Sequence, residues 1–560
     1  MSPPESGECA GDQPCSVADC LRLLEQVPAA AASAPAFRRH WPSVSASLAT
    51  LSTALSSPAF PPAAPLLAPL AAALSALLSV AADAGRLGHL HTVSLLSSSA
   101  ASLAQLAADA RLLSAPGSAA AGGGGVGGGG GDGVEGVISR LRLGSAASRA
   151  AALEDLAAAV GTLPASSAAA AVSAVAALLD SGDLLPASRE RAVSLLAAFA
   201  SSDPARPFLA QESSAVVPHL CRALESGAAA EHACAALLPL TAASRDAAAA
   251  VAARGGVSAL LSACAAGTPA AQAAAAGVLR NLAAFPDLLP YFRDEGHDAV
   301  HSVLLQLVSL GTPRARELAL GCLQNLTAGD GGDEAQRMRV DAFQDGALAC
   351  VRDFLDAATP GDEPALAPAL GLLRNMATFR YVAEIAASAG FVALVAAALA
   401  GSDRSATRAE AAMALAEFCP VVGGSGKARR ELGDAVVPRL VWMLEAKSAA
   451  ERDAAARALA ALLASGSGSG GHYRKLFRKD ERGVVNAVQL LDPTAAAGVD
   501  RRFPVAVLLS VAQSRRCRKQ MVAAGACGFV QSLVDAEVDG AKKLAECLGK
   551  GKMLGVFPRT

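Results

Sequence analysis

Nine short apolar segments recur along this chain at a nearly constant interval, and that period restricts the fold more than any single motif does. They are LEDLA (153–157), LAAFA (196–200), LLPLT (237–241), LRNLA (279–283), LQNLT (323–327), LRNMA (373–377), LAEFC (415–419), LAALL (459–463) and LLSVA (508–512). Their central positions are Asp155, Ala198, Pro239, Asn281, Asn325, Asn375, Glu417, Ala461 and Ser510, spaced 41 to 50 residues apart. Most intervals carry a second landmark, a glycine ahead of an apolar run. Examples are RGGVSALLSAC (254–264), DGALACVRDFL (345–355), AGFVALVAAAL (389–399), GDAVVPRLVWML (433–444), RGVVNAVQLL (482–491) and AGACGFVQSLV (524–534). This Gly-helix-turn-helix layout belongs to helical repeats of about 40–47 residues. No such unit buries its own apolar faces, so the units must stack into one continuous superhelix. Gly277, Gly321 and Gly371, each four residues before an Asn, predict close helix packing.

Composition supports helices throughout. The 560 residues are 52% apolar but only 4% aromatic, and Ile occurs twice, at Ile138 and Ile385. A core of Ala, Leu and Val without β-branched or aromatic bulk favours helix over sheet. The formal charge is −2, which leaves no global basic field to hold a nucleic acid or an anionic membrane. The twelve Cys form no CxxC pair, which excludes a disulfide scaffold and zinc sites of the usual spacing and fits a reducing compartment. The opening MSPPESGECAGDQPC has neither a basic n-region nor an apolar h-region, so no secretory signal is expected.

Five zones follow from these patterns. Residues 1–16 are polar and read as disordered, and 17–114 read as a small helical domain with helices near 17–27, 36–56, 65–84 and 85–114. The run PGSAAAGGGGVGGGGGDG lies in a flexible linker, 115–136, where glycine entropy opposes regular structure. The repeats occupy 137–540, and 541–560 is a tail. The charge-free stretch from Trp41 to Ala82 reads as soluble helix, because its apolar part is shorter than the roughly 20 residues a membrane span needs.

The AGx-apolar helix starts, together with the L-x-N-[LM] tetrads around Asn281, Asn325 and Asn375, resemble the armadillo-repeat family. FRRHWPSVSASLATL (37–51) is similar to the helical N-terminal domain of its plant members, and GAKKLAECLGKGKMLGVFPR (540–559) to their closing segment. The resemblance implies an all-α, right-handed α-solenoid of about nine armadillo-type repeats. It also implies that the three Asn lie on third helices facing a concave groove, where side-chain amides hold the backbone of an extended partner segment. Arg280, Gln324, Arg374 and Arg316 flank that track and favour acidic or polar segments. The competing reading is that these Asn cap or bridge neighbouring helices. The import adaptors of this fold carry a Trp where Gly277, Gly321 and Gly371 stand here, so capture of Lys-rich import signals is not expected.

The resulting expectation is a monomeric, non-catalytic scaffold for protein partners in the cytoplasm or nucleus, with no cofactor, metal, nucleic acid or integral membrane span. Two alternatives stand beside it: an adaptor of a ubiquitin ligase acting in trans, and an adaptor tethered to membranes by lipid on Cys9, Cys15 or Cys20, of which Cys20, in ADCLRLL, reads better as helix core. FCPVVGG (418–424) begins like a U-box but lacks that module's later landmarks, and GGSGKARR (423–430) lacks the glycine and hydroxyl residue of a phosphate loop. RRCRK (515–519) and RKLFRKDER (474–482) are basic clusters whose default reading is a solvated helix face.

Overall fold

The computed structural model describes residues 16–33, 41–57, 60, 66–83, scattered positions from 92 to 110, 134–144, 146–180, 184–227, 229–294, 297–329, 333–421, 426–464, 470–492, 494 and 497–553. Among these the regular elements are helices alone, and the chain divides into two compact units. The first takes in the chain up to Leu195 with Ser202–Phe208, and the second takes in Leu196–Ser201 and Leu209 onward.

In the first unit, helices Val17–Ser33, Trp41–Leu55 and Leu67–Asp83 share one core. Cys20, Leu24, Val27 and Ala31 recur at helical spacing, as do Val44, Leu48, Leu51 and Leu55, and Leu67, Leu70, Leu74 and Leu77. This burial explains the charge-free stretch: Leu70, Leu74 and Leu77 are fully enclosed, and no single described helix is long and apolar enough to cross a membrane. Cys20 is fully buried in this core, its thiol 3.4 Å from the Leu67 carbonyl, so burial denies it to a lipid anchor. Cys9, Cys15 and the glycine run lie outside the described residues. The next helix, Val134–Leu143, starts within the stretch read as linker and packs on Ala146–Ala159 and Ala165–Asp180.

The second unit of the chain is an α-solenoid of three-helix repeats. Arg245–Ala252, Gly256–Ala266 and Pro269–Ala283 form one repeat, and local chemistry sets each boundary. The Ser244 hydroxyl caps the first helix by accepting the Ala247 N–H. Gly255 then takes φ 71°, a left-handed conformation that turns the second helix 83° from the first. The Thr268 hydroxyl caps the third helix, with Pro269 opening it. Thr312 and Pro313 do the same one repeat later, and Gly346, Gly390 and Gly525 repeat the left-handed turn at φ 87°.

Two glycine landmarks do other work. Gly433 lies inside one continuous helix, Gly426–Met443, where the first and second helices of a repeat are fused. A methyl there would stand 2.6 Å from the Tyr473 ring, so this glycine admits a neighbouring aromatic rather than a turn. Gly483 lies within helix Glu481–Gln489, against the Phe477 ring, and Asp480 supplies the cap.

The third helices carry the solenoid. Ala230–Ala243, Pro269–Ala283, Pro313–Leu326, Glu363–Ala377, Ser405–Phe418, Ala449–Ala464 and Arg502–Val511 each pack on the next. The long interval between Asn325 and Asn375 accommodates a 3-10 turn, Pro360–Asp362, closed by a capping box between Thr359 and Asp362. Within the tail, Ala541–Met553 is a helix packed on Arg502–Val511 and Ala526–Asp535, with Leu544 and Leu548 buried. It extends the stack by a further third helix.

Candidate functional site

The candidate track runs along the third helices from Ala230–Ala243 to Ser405–Phe418. Its repeating element is a pair of positions, a glycine and the side chain that covers it. Leu238, Arg280 and Gln324 each directly precede a central position, and each lies over the glycine of the following repeat. A methyl added at Gly277 would stand 2.5 Å from Leu238 Cδ1, and one at Gly321 2.7 Å from Arg280 Cδ. One at Gly371 would overlap the Gln324 amide. The glycines therefore let long side chains lie flat along the track.

The asparagines are buried or half-buried, and their amide nitrogens point to the preceding repeat. Asn281 Nδ2 donates to the Leu238 carbonyl at 3.0 Å and to Thr241 Oγ1 at 3.1 Å. Asn375 Nδ2 does the same to the Gln324 carbonyl at 2.9 Å and Thr327 Oγ1 at 3.1 Å. Both amide hydrogens are thereby used. Asn325 Nδ2 donates only to the Arg280 carbonyl, at 2.9 Å, because Ala283 stands where the threonine would be. The bridging reading accounts for these donors. The Oδ1 atoms of Asn281 and Asn325 have no recorded partner, and the second N–H of Asn325 is likewise unspent.

Asn375 has no such spare capacity. Its Oδ1 accepts from Arg374 Nε at 3.2 Å and Nη2 at 3.0 Å, while Arg374 Nη1 reaches Glu410 Oε2 at 2.7 Å. Gln324 Nε2 donates to the other oxygen of Glu410 at 3.1 Å, so one carboxylate ties together three consecutive third helices. Burial pushes the Glu410 carboxyl up from the ordinary glutamate range, and Arg374 and Gln324 only partly offset it.

Of the seven residues singled out in the sequence, Asn281, Asn325, Asn375, Arg280, Gln324 and Arg374 share this track. Arg316 does not. It lies nine residues before Asn325, and its guanidinium bonds Asp362 Oδ1 at 3.1 Å in the joint between repeats. Burial alone would raise the Asp362 carboxyl, but the Thr359 hydroxyl and N–H and the Arg316 guanidinium outweigh it and lower it. Sequence reasoning missed Glu410, which has no landmark of its own. It also passed over Thr241 and Thr327, whose place two residues after a central position was visible in LLPLT and LQNLT.

Other chemistry-bearing groups lie inside the repeats. His301 is buried and stands 3.4 Å from Asp345. Burial pushes the Cys234, Cys264 and Cys419 thiols up to about 12, which keeps them protonated and unreactive. Among the described residues no cluster of His, Cys, Asp or Glu has metal-binding geometry.

No protein-family model matches the chain, and no curated protein matches it. Among solved structures it is similar to an engineered protein determined by the Northeast Structural Genomics Consortium, at 23% identity and a TM-score of 0.58, covering 74% of this chain and 98% of that one. It also aligns with the designed armadillo repeat protein YIII(Dq)4CqI at 19% identity and a TM-score of 0.37, over 44% of this chain and 99% of that one. The likeness at 0.58 speaks to fold alone. With the three-helix repeats described above, the chain is an all-helical α-solenoid.

Proposed function

We propose that this protein is a non-catalytic scaffold that holds an extended partner segment along its third helices, over Arg280, Asn281, Gln324, Asn325 and Arg374. The observation that carries this reading is the unspent capacity at adjacent repeats. Asn281 and Asn325 keep carbonyl oxygens, Asn325 keeps an N–H, and Arg280 lies flat across Gly321 between them. A row of acceptor, cation, acceptor and donor suits a peptide backbone with an acidic side chain opposite Arg280. At Asn375 the partner meets the Arg374–Glu410 pair in place of a free amide, so the contact there is to charge.

Selection from a displayed library of random extended peptides on the full chain tests this. Binders enriched in acidic residues, lost from the Arg280→Glu variant at unchanged melting temperature, would support the reading. A library that yields no binders, or binders indifferent to Arg280→Glu and Arg374→Glu alike, would remove it.

A further inference from the structure

The charge of this chain is unevenly placed. Residues 470–519 carry 11 Lys and Arg against 4 Asp and Glu, a net +7, while the whole chain is −2, so everything else stands at −9. Nine of the basic residues sit on helices Gly470–Lys479 and Arg515–Ala523, the first helices of two successive repeats, and at the start of Glu481–Gln489 between them, while Arg501 and Arg502 open the third helix Arg502–Val511, where Arg502 pairs with Asp500. Glu481–Gln489 packs on both, and an ion pair from Arg516 to Glu481 at 2.9 Å joins the two basic stretches.

These cations divide into two groups. Arg474 turns back to the Leu463 carbonyl at 2.7 Å, and Arg518 to the Ala512 carbonyl at 2.6 Å, each closing the end of a third helix. Lys475, Arg478, Lys479, Arg515 and Lys519 are exposed and have no carboxylate partner among the described residues, and Arg482 reaches Glu445 only at 4.0 Å. Arg478 and Lys479 stand three and four residues after Lys475, and Lys519 stands four after Arg515, so each set lies on one helix face.

We infer that this end of the solenoid is a second docking surface, for a short acidic segment of a partner protein. It is separate from the track along the third helices. Two observations favour that occupant over other polyanions. Arg516 already holds a carboxylate in the patch, with both groups largely solvent-exposed, and so shows how an incoming Glu or Asp is bound. No large apolar side chain is exposed between residues 470 and 519 among those described, which leaves nothing to insert into a bilayer or to stack on unpaired bases.

The test uses the full chain and a fluorescein-labelled Glu-rich peptide of about ten residues, read by anisotropy. Saturable binding is expected, weakening as salt rises. The Arg478→Glu/Arg515→Glu/Lys519→Glu variant, altered only at exposed positions, should bind at least about tenfold more weakly. The Lys542→Glu/Lys543→Glu variant, on the terminal helix outside the patch, should bind as wild type does. Failure to bind the peptide, or loss in the terminal-helix variant equal to that in the triple variant, would overturn the inference. So would tighter binding of an oligonucleotide or of phosphatidylserine vesicles at matched charge. Arg280→Glu serves as the internal control: it disables the third-helix track while leaving this patch intact, so the two readings fail independently.

Discussion

The middle and the C-terminal repeats stack their third helices by different chemistry. Between Ala230 and Ala377 each contact pairs a glycine with a flat-lying side chain and sends an Asn amide to a carbonyl of the preceding repeat. Beyond Ser405 the glycine position is occupied by Met413, Arg457 and Ala506, and the amide bridge gives way to ion pairs. Arg408 reaches Glu451 at 2.5 Å, and Arg457 reaches Glu417 at 3.2 Å. Glu417 occupies the position of the Asn, and Arg457 that of the glycine, so one joint has been rebuilt with charge. A neutral amide bridge leaves acceptors for a ligand, whereas the ion pair uses both of its partners. Unspent amide valence therefore concentrates in the middle repeats.

The largest effect should come from the buried end of this contrast. Arg408 and Glu451 are 9% and 2% exposed, with the guanidinium also 5.3 Å from the Trp442 ring. Glu451→Ala strands a buried cation and should cost about 3–5 kcal/mol in urea denaturation. Arg408→Met/Glu451→Leu together should recover most of that loss, and failure to recover would show that the pair is needed beyond charge balance.

Next in size are the amide bridges. Asn281→Ala removes two hydrogen bonds and should cost about 2 kcal/mol, Asn375→Ala removes the equivalent two together with those from Arg374 and should cost no less, and Asn325→Ala removes one and should cost about 1 kcal/mol. Equal losses at all three sites would contradict the role assigned to Thr241 and Thr327.

The glycines separate more finely. Gly277→Ala meets the Leu238 side chain and should destabilise, whereas Gly321→Ala meets only the flexible stem of Arg280 and gains helix propensity. A thermal melt of Gly321→Ala should lie within about 1 kcal/mol of wild type. The same substitution should disturb peptide selection, because it lifts Arg280 off the track.

The smallest effect concerns pH. The Glu410 carboxyl is raised by burial, so the native state holds its proton more tightly than the unfolded chain, and that contribution declines as pH rises above 4.5. Asp362 is shifted the other way, so its contribution is present at neutral pH and lost as pH falls through the aspartate range. Stability of Glu410→Gln relative to wild type should therefore rise with pH, and that of Asp362→Asn should fall. Parallel slopes from the two variants would refute the assigned causes.

Much of this was legible in the chain. The left-handed turns at Gly255, Gly346 and Gly390, and the Thr-Pro starts at Thr268 and Thr312, are needs of a few adjacent residues and show as motifs. Gly433 carried the same motif yet sits in a fused helix, because the distant Tyr473 ring claims the space beside it. Arg316 reads as a groove residue in the sequence, but its guanidinium is held by Asp362, 46 positions onward.

Repeat period, helical class and the left-handed turns at Gly255, Gly346 and Gly390 were determined by the sequence alone, since backbone preference and apolar spacing act over one or two turns of helix. Which atoms of Asn281, Asn325 and Asn375 remain for a partner was decided only by tertiary structure. The carbonyl or hydroxyl that consumes each amide hydrogen comes from a residue 40 to 51 positions earlier. Hydrogen-bond valence is spent in three dimensions, and no local pattern records how much of it is left.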